Sequence, residues 1–257
     1  MNKLRLSVVT PAYNASAYIE ILLKSVAEQT YDNIEHIVID DGSKDEGATI
    51  EVIKKYPKVQ WWTRPNKGQY ATLNEGVRKA TGDFIVIICA DDLFARNDMV
   101  ERMMEQLNHH PDWNFICGDT EIVDENGTFK RFWPTAGGYW LPKALWKFCV
   151  YAPHCSLFAS RKTLFENDLF FDESMKFASD RDWLIRLHKA SRSFGYVPIS
   201  VAQYREHSSS QTSTLNQDLK TRENKLVNVR HHLNFSVIRL VTFYLRWCQR
   251  LFAKTSR

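Results

Sequence analysis

The chain has 257 residues, 44% of them hydrophobic and 25% charged, so it can bury the core of one large domain without disulfide or metal staples. Its net charge of +4 gives no reason to expect a nucleic-acid partner. The five cysteines form no CxxC pair and no zinc-ligand spacing, which predicts reduced thiols in a cytoplasmic setting. Because no apolar run reaches about 18 residues, we expect no ordinary transmembrane helix.

The first half of the chain alternates short apolar runs with segments of helical spacing. The runs are rich in valine and isoleucine and show little polar alternation, which is typical of strands buried on both faces. They span residues 6–10, 34–39, 59–63 and 84–89, and the helical segments span residues 16–29, 46–55, 70–80 and 98–108. This rhythm predicts a mostly parallel, doubly wound sheet, whose ligands bind beyond the carboxyl ends of the strands.

The second half of the chain is less regular. The pattern predicts strands at residues 115–120, 155–159 and 194–204, a helix at residues 180–190 and a hairpin turn at Asn126-Gly127. Residues 132–151 are dense in tryptophan, proline and glycine and predict a long loop of the kind that covers a substrate. From about residue 215 the chain shows one long helical pattern.

The C-terminal part of that pattern is both apolar and basic. Residues 235–252 are richer in apolar side chains than a packed surface helix requires, and arginine and lysine recur on one face from Arg239 to Arg257. This composition favours a helix that lies in the interface of an anionic membrane. A helix that covers the apolar surface of the chain itself, or that of a second copy, remains the alternative.

Polar clusters follow the predicted strands. They lie at residues 10–14, 40–43 and 91–92, and a fourth cluster opens the late helix at residues 180–183. Taken singly, each acidic cluster could serve only as a helix cap or a solvated turn. Because the carboxyl ends of parallel strands meet at one sheet edge, their convergence in a chain that is not acidic indicates a functional site.

The chemistry of nucleotide-sugars explains why carboxylates would converge there. The diphosphate leaving group gains charge as the glycosidic bond breaks, and a hard divalent cation held by carboxylate oxygens neutralises that charge. A second carboxylate is needed to take the proton of the attacking hydroxyl. Asp91 or Asp92 suits the first role, and Asp180 suits the second.

These motifs, in this order and spacing, resemble the family 2 glycosyltransferases of the GT-A fold, from Leu6 to about His207. The resemblance rests on the following residues: Pro11-Ala12-Tyr13-Asn14, Asp40-Asp41-Gly42-Ser43, Asn66-Lys67-Gly68, Ala71, Asn74, Gly76, Ala80, Gly82 and Ala90-Asp91-Asp92. It implies an α/β, Rossmann-like single domain with a mostly parallel mixed central sheet flanked by helices, to which this chain adds a C-terminal amphipathic helix.

The resemblance also implies a role for each matching position. The nucleotide-sugar would contact Thr10, Pro11, Tyr13, Asn14, Asp41, Asn66, Gly68, Asn74, Asp91 and Asp92. Asp91 would reach the divalent metal, Mn²⁺ or Mg²⁺, and Asp180 stands where the family keeps its catalytic base. Members of this class invert the anomeric centre by direct displacement, so no covalent nucleophile is expected.

Two positions depart from the family pattern. The metal motif commonly reads Asp-x-Asp-Asp, and Cys89 stands in its first position. A neutral thiol is a poor ligand for Mg²⁺ or Mn²⁺, so we interpret Cys89 as a small buried strand residue. The base motif usually carries Glu before the Asp, and Ser179 replaces it here. Asp180 itself is retained, with Asp182 as an alternative that serves equally well as a helix cap.

Further polar and aromatic residues are candidates for the rest of the site. His207 follows a late strand and is either a metal or phosphate contact or a plain loop histidine. His154, Trp140 and Asp182 are the candidates for contact with the acceptor, with a structural hydrogen bond as the alternative for His154. Arg186 is expected to pair with a carboxylate, and His231 to lie on the surface.

The sequence predicts an inverting glycosyltransferase of bacterial surface polysaccharide or glycolipid synthesis, peripheral on the inner face of the cytoplasmic membrane. Its donor is expected to be a UDP-sugar, with GDP- or dTDP-sugars as alternatives, and its acceptor a glycan or a lipid-linked glycan. A homodimer is left open. The division predicted is a GT-A domain at residues 1–214, with a nucleotide-sugar half at 1–118 and an acceptor half at 119–214, followed by a helical extension at 215–257.

Two other functions compete with this prediction. A sugar nucleotidyltransferase would need a basic loop after the first strand, and residues 11–16 contain no basic residue. A non-catalytic homologue that binds a nucleotide-sugar or tethers partners at the membrane is favoured by Cys89, whereas the presence of both Asp91 and Asp180 argues against it.

Overall fold

Apolar strands form the centre of the fold. The computed structural model describes residues 3–133, 152–233, 236, 237, 240, 241, 243 and 244. Its strands are β1 (Leu6–Ala12), β2 (Ile34–Asp40), β3 (Gln60–Thr63), β4 (Phe84–Ile87), β5 (Leu93–Phe94), β6 (Phe115–Val123), β7 (Phe129–Phe132), β8 (Leu157–Ser160) and β9 (Phe194–Arg205). The interior strands carry almost no exposed side chain, as the valine- and isoleucine-rich runs require.

Helices cover both faces of the sheet. They are α1 (Ile19–Ala27), α2 (Ala48–Lys54), α3 (Gln69–Lys79), α4 (Met99–His109), α5 (Arg161–Glu166), α6 (Ser179–Ala190), α7 (Gln211–Thr214) and α8 (Gln217–Arg230). In α4 the methionines and leucine recur at helical spacing and are buried, so one face of the helix docks on the sheet. Gly76 lets α3 approach β1 closely, because an added Cβ would lie 2.4 Å from a methyl carbon of Val9.

The strand order is β3-β2-β1-β4-β8-β6-β9-β5, with β7 paired to β6. The pairs β3–β2, β2–β1 and β1–β4 are parallel, whereas β8 runs antiparallel to both β4 and β6. The predicted mixed α/β sheet is therefore confirmed, with the parallel pairs of β1 to β4 in the first half of the chain and the parallel pair β6–β9 in the second. Because β1, β2 and β4 are parallel neighbours, the residues that follow them meet at one edge.

Some elements differ from the prediction. The two-residue strand β5 and the short helix α5 were not predicted, because neither is long enough to show a period. The Asn126-Gly127 turn does connect the antiparallel strands β6 and β7, and Gly127 has a φ of 84°. The single long helix predicted from residue 215 is wrong: α8 ends at Arg230, and His232 has a φ of 53° that a helix cannot accommodate.

Helix α8 packs on the rest of the chain through two buried side chains. Val227 is fully buried in the larger core cluster, and Glu223 accepts hydrogen bonds from the backbone before α6. Among the residues described by the structure, no helix has the length and apolar character needed to cross a membrane. The substrate-covering loop predicted at residues 132–151 lies almost wholly outside the described residues, and so does Trp140.

Candidate active site

A cleft of about 1320 Å³ opens at the carboxyl edge of the parallel strands. Turns after β1, β2 and β4 contribute to its wall, together with the loop before α3, the start of α6 and the loop after β9. The cleft brings together the following predicted site residues: Pro11, Tyr13, Asn14, Asp41, Asn66, Gly68, Asp91, Asp92, His154, Asp180 and His207. The convergence expected from the strand ends is therefore present in the fold.

Asp41 ties the turn after β2 to the loop before α3. One carboxylate oxygen accepts the backbone N–H of Lys67 at 2.9 Å, and the other accepts that of Gly68 at 3.0 Å. Arg64 pairs with the same carboxylate and also donates to Glu75 at 2.6 Å. Asp41 is nearly buried, so these bonds hold the loop at a fixed distance from β2.

The turn after β1 is held by the turn after β2. The backbone N–H of Asn14 donates to the Ser43 hydroxyl at 2.8 Å, and the Asn14 side-chain oxygen accepts the Lys44 N–H at 2.7 Å. Asn14 has a φ of 48°, a conformation that asparagine tolerates better than most residues. Tyr13 next to it is 46% exposed, so an aromatic face is available at the mouth of the cleft.

Asp91 and His207 meet across the cleft. The imidazole Nε2 of His207 lies 3.0 Å from Asp91 Oδ2, and the other ring nitrogen lies 2.8 Å from the Ser209 hydroxyl. The His207 ring also packs against Tyr18, with 4.6 Å between the ring centroids. His207 is therefore oriented toward the acidic pair from the loop after β9.

Asp92 is fully buried beside this pair. Its Oδ1 accepts the backbone N–H of Arg205 at 3.0 Å, while its Oδ2 is buried without a hydrogen-bond partner among the described residues. Burial, with the neighbouring charge of Asp91, raises the pKa of Asp92 well above its ordinary value. The Arg205 guanidinium donates to the carbonyls of Asp91 and Glu125, so it braces the backbone around the acidic pair.

Cys89 lies beneath the same pair. Its Sγ accepts from Gln69 Nε2 at 3.4 Å and lies 3.9 Å from Nε2 of His154. Burial, followed by the charges of Asp91 and Asp92, raises the pKa of the Cys89 thiol well above its ordinary value, so the thiol stays neutral. His154 Nδ1 donates to the Ile87 carbonyl at 3.1 Å, which fixes its ring beside Cys89.

The donor atoms of this cluster suit a hard divalent cation. Ligand atoms of Cys89, Asp91 and Asp92 lie within 4.8 Å of one another, and the buried Asp92 Oδ2 lacks a partner. Carboxylate oxygen and imidazole nitrogen both suit Mn²⁺, and carboxylate oxygen suits Mg²⁺. The neutral thiol is the weakest donor of the set. Asp91, Asp92 and His207 therefore fit a metal, and Cys89 does not.

Asp180 lies at the first turn of α6 and lines the cleft. Burial raises its pKa above the ordinary value, although the nearby His154 and the Arg181 N–H, at 2.7 Å, act in the opposite direction. The N-terminus of a helix favours a negative charge, so α6 also stabilises the ionised form. The result is a carboxylate that accepts a proton more readily than an exposed aspartate does.

Two residues that were predicted to contact the nucleotide, Thr10 and Asn74, lie outside the cleft. Thr10 is fully buried, with its hydroxyl 3.1 Å from His36 Nε2. Asn74 is also buried, and its side chain joins α3 to the backbone N–H and carbonyl of Phe171. Direct nucleotide contact predicted for Thr10 and Asn74 is therefore replaced by structural hydrogen bonds.

Asp182, predicted as an acceptor contact or second base, faces away from the cleft as well. It accepts from Arg186 at 2.7 Å, from Arg230 at 3.0 Å and from the buried His231 at 2.9 Å. Although burial opposes ionisation, these hydrogen bonds lower the pKa of Asp182 below its usual range. The surface position predicted for His231 is wrong, because its ring is buried against this carboxylate.

Sequence reasoning missed several residues that shape the site. Arg64 and Arg205 brace its loops from within, and Glu223 binds the loop before α6 from a helix 43 residues beyond Asp180. No local motif marks them, because each acts on a segment distant in sequence. For Glu223 the sequence offers one signal. It is a carboxylate three residues before the apolar pair Leu226-Val227, on the part of the predicted helix that could face the core.

Comparisons with known proteins find related glycosyltransferase sequences. A segment of 125 residues is 37% identical to an uncharacterised glycosyltransferase of Rickettsia bellii, covering 48% of this chain and 18% of that relative. A longer match, 30% identical, covers 82% of this chain and 67% of an uncharacterised glycosyltransferase of Rickettsia typhi. The glycosyltransferase GlyG of Streptococcus pneumoniae is 26% identical over 80% of this chain and 72% of its own. The chain thus spans about a fifth of the first of these relatives.

Solved structures share the fold at low sequence identity. S. aureus TarS 1-349 in complex with UDP-GlcNAc superposes with a TM-score of 0.69 at 19% identity, over 88% of this chain and 66% of that one. The mannosyltransferase PcManGT from Pyrobaculum calidifontis, in complex with GDP-Man and Mn²⁺, gives a TM-score of 0.65 at 19% identity, over 95% and 70%. Both likenesses show the fold alone.

The model of one family matches most of the chain. Its description is glycosyl transferase family 2, and the match runs from residue 7 to residue 186, from the first residues of β1 into α6. That span contains the strand-end motifs on β1, β2 and β4 as well as Asp180. The chain belongs to glycosyl transferase family 2.

Proposed function

We propose that this chain transfers a sugar from a nucleotide-diphosphate sugar to a hydroxyl group of a glycan or lipid-linked acceptor, with inversion by direct displacement. One observation carries the proposal: the Asp91–His207 pair and Asp180 line the same cleft, whose remaining wall comes from the loops tied by Asp41. A diphosphate site and a general base are the two requirements of this chemistry.

The nucleotide end of the donor belongs at the turns after β1 and β2. Pro11, Tyr13 and Asn14 line one side of the cleft there, and Asn66 and Gly68 line the other. Asp41 already accepts two backbone N–H groups, so its main contribution is to hold the walls apart at a fixed width. Preorganised walls reduce the entropy lost when the nucleotide binds.

Asp91, Asp92 and His207 would hold a divalent cation, Mn²⁺ or Mg²⁺. Such an ion supplies positive charge that neutralises the charge developing on the leaving diphosphate. In this chain the nitrogen of His207 joins the carboxylates, while the neutral Cys89 fills the position of the usual first aspartate. A donor set that includes nitrogen favours Mn²⁺ over Mg²⁺.

Asp180 is the proposed base. It would remove the proton of the acceptor hydroxyl as that oxygen attacks the anomeric carbon, and its raised pKa strengthens it for that task. His154 lies close enough to affect the pKa of Asp180, and its Nδ1 donates to the Ile87 carbonyl. We place the acceptor hydroxyl between these two groups.

We place the protein on the inner face of a bacterial cytoplasmic membrane, where it would act on a lipid-linked acceptor of surface polysaccharide or glycolipid synthesis. The support is the C-terminal region, which presents exposed apolar side chains and is rich in arginine and lysine. The exposed apolar residues are Leu226, Val229, Leu240 and Phe243.

The test is a donor panel of UDP-, GDP- and dTDP-sugars, each with Mn²⁺, Mg²⁺ or EDTA. We expect one donor to raise the melting temperature in the presence of Mn²⁺, and to release its nucleotide when acceptor glycolipid extracted from bacterial membranes is added. Saturable binding with no nucleotide release under any condition would contradict the proposed transfer. It would support instead the non-catalytic nucleotide-sugar binder that Cys89 favours.

A further inference from the structure

The loop that leads into the proposed base is held from outside the region that the family model matches. Residues 176–178 precede α6, and their three successive N–H groups point toward a single side chain on α8. Glu223 accepts the N–H of Lys176 at 2.9 Å through Oε1, and those of Phe177 and Ala178 at 2.8 and 2.9 Å through Oε2. Glu223 is 7% exposed.

The Glu223 carboxylate and its three hydrogen bonds hold residues 176–178 in one position, and we call this arrangement the clamp. The hydrogen bonds are charge-assisted and at least partly buried, so each contributes more than a neutral bond at the surface would. Ala178 precedes the first turn of α6 and has no side chain that could cap the helix. Glu223, on a different helix, binds the N–H of Ala178 at the start of α6, and its carboxylate complements the positive end of the α6 dipole.

The clamp fixes the loop on both sides. The carbonyl of Phe177 accepts the Tyr70 hydroxyl at 2.7 Å, while the N–H of the same residue donates to Glu223. Tyr70 lies in the first turn of α3, immediately after the loop tied by Asp41. A second tie runs from Arg181, the neighbour of Asp180, to the side chain of Asn228 at 2.6 Å.

We propose that Glu223 is a positioning residue for the transfer reaction, and that it sets the location and ionisation of Asp180 through the backbone of residues 176–178. This inference rests on the proposed function of Asp180 as the base. Asp180 follows Ala178 by two residues, so a displacement of the clamped loop moves the carboxylate directly. A misplacement of about 1 Å can cost roughly a hundredfold in rate.

The central variant is Glu223→Gln. The amide keeps the size of the side chain but has one acceptor oxygen and one donating NH₂, so it cannot accept all three N–H groups. We expect kcat to fall by about tenfold to a hundredfold, because the displaced backbone leads directly into Asp180. We expect the donor KM to stay within twofold, because the nucleotide loops are unaffected.

A matched control separates positioning from loss of stability. Val227 lies one turn further along α8 and is fully buried, without any bond to residues 176–178. Val227→Ala should lower the melting temperature and leave kcat within twofold. If Val227→Ala lowers kcat as much as Glu223→Gln does at an assay temperature where both are folded, the positioning role is wrong.

A spectroscopic readout keeps this inference distinct from the proposed function. The ¹³C resonance of the Asp180 carboxyl, assigned by its loss in Asp180→Asn, reports the environment of that group whether or not transfer is observed. We expect it to shift in Glu223→Gln and to stay in place in Val227→Ala. An unmoved resonance overturns the positioning role. A wild-type chain that transfers no sugar from any donor overturns the proposed function alone, and the resonance then still decides the positioning role.

Discussion

A carboxylate base must be ionised before the acceptor arrives, and burial works against that at Asp180. The first turn of α6, the Arg181 N–H and the nearby His154 offset part of this penalty. The pKa of Asp180 is raised by the net effect, which makes the group a stronger proton acceptor than an exposed aspartate. The pKa of Asp182, two residues further on, is lowered instead. Although burial opposes ionisation there too, His231, Arg186 and Arg230 all donate hydrogen bonds to its carboxylate.

The difference between these neighbours gives the first prediction. Asp180→Asn should reduce kcat by roughly 10²- to 10⁴-fold, which is the usual contribution of a general base to the rate, while donor affinity changes little. Asp182→Asn is the control: it should lower the melting temperature, because Arg186 and Arg230 lose their shared partner, and leave kcat nearly unchanged. Steady-state kinetics and thermal unfolding on both variants provide the measurement. Normal transfer by Asp180→Asn would assign the base elsewhere.

The second prediction concerns the acidic pair. Asp91→Ala should remove the Mn²⁺-dependent gain in affinity for the nucleoside diphosphate, because His207 and the buried Asp92 offer too few accessible donors alone. Calorimetric titration of UDP with and without Mn²⁺ measures that gain. Glu125→Ala removes one exposed negative charge from the same cleft and should preserve it. An unchanged Mn²⁺ effect in Asp91→Ala would exclude Asp91 as a ligand.

The predicted site residues that line the cleft include those whose position depends on local sequence. Asp91 and Asn14 lie in the turns that follow the buried strands β4 and β1, so their position at the sheet edge depends on the strand pattern. Asn74 and Asp182 carry equally polar signals, but their partners lie 97 and 49 residues away. A motif identifies a side chain that can bind a ligand. The fold decides whether that side chain is already hydrogen-bonded to another part of the chain.

At the scale of elements, two turns form the side of the cleft where we propose that the nucleotide binds. The turn after β2 approaches the loop before α3 so closely that the position of Gly42 has no room for a Cβ atom. Gly42 has a φ of 73°, and an added Cβ would lie 2.9 Å from the Arg64 carbonyl oxygen and 3.0 Å from the Asn66 nitrogen. Both neighbours are backbone atoms, so the two turns would have to separate.

Gly42→Ala therefore gives the third prediction. The left-handed conformation and the clash together should cost about 1–3 kcal/mol of stability and widen the cleft, so nucleotide affinity should fall. Gly47→Ala is a close control, since Gly47 has a φ of 86° and no atom within 4 Å of the added Cβ. It should be destabilised by strain alone and bind nucleotide normally. Equal losses of affinity in both variants would refute the steric account.

At the scale of the whole molecule, the C-terminal residues have two different faces. Val241 is 4% exposed and belongs to the larger core cluster, with Val237 and Tyr244 packed against it. Leu240 and Phe243, by contrast, are 68% and 72% exposed. The region thus covers part of the domain's own surface and also presents apolar side chains outward. Deleting it would expose core residues, so a deletion cannot isolate membrane binding.

Point variants of the outward residues give the fourth prediction. The pair Leu240→Glu and Phe243→Glu should weaken binding to phosphatidylglycerol–phosphatidylcholine vesicles by about a hundredfold or more, since burial of each apolar side chain contributes roughly 1.5–3 kcal/mol. Because the buried Val241 is not changed, we expect the melting temperature of the double variant to equal that of the wild type. Phe165→Glu places a charge on an exposed aromatic of α5 and should leave vesicle binding unchanged. If flotation of the double variant equals that of the wild type, these side chains do not enter the bilayer, and a lipid-linked acceptor would have to reach the cleft without them.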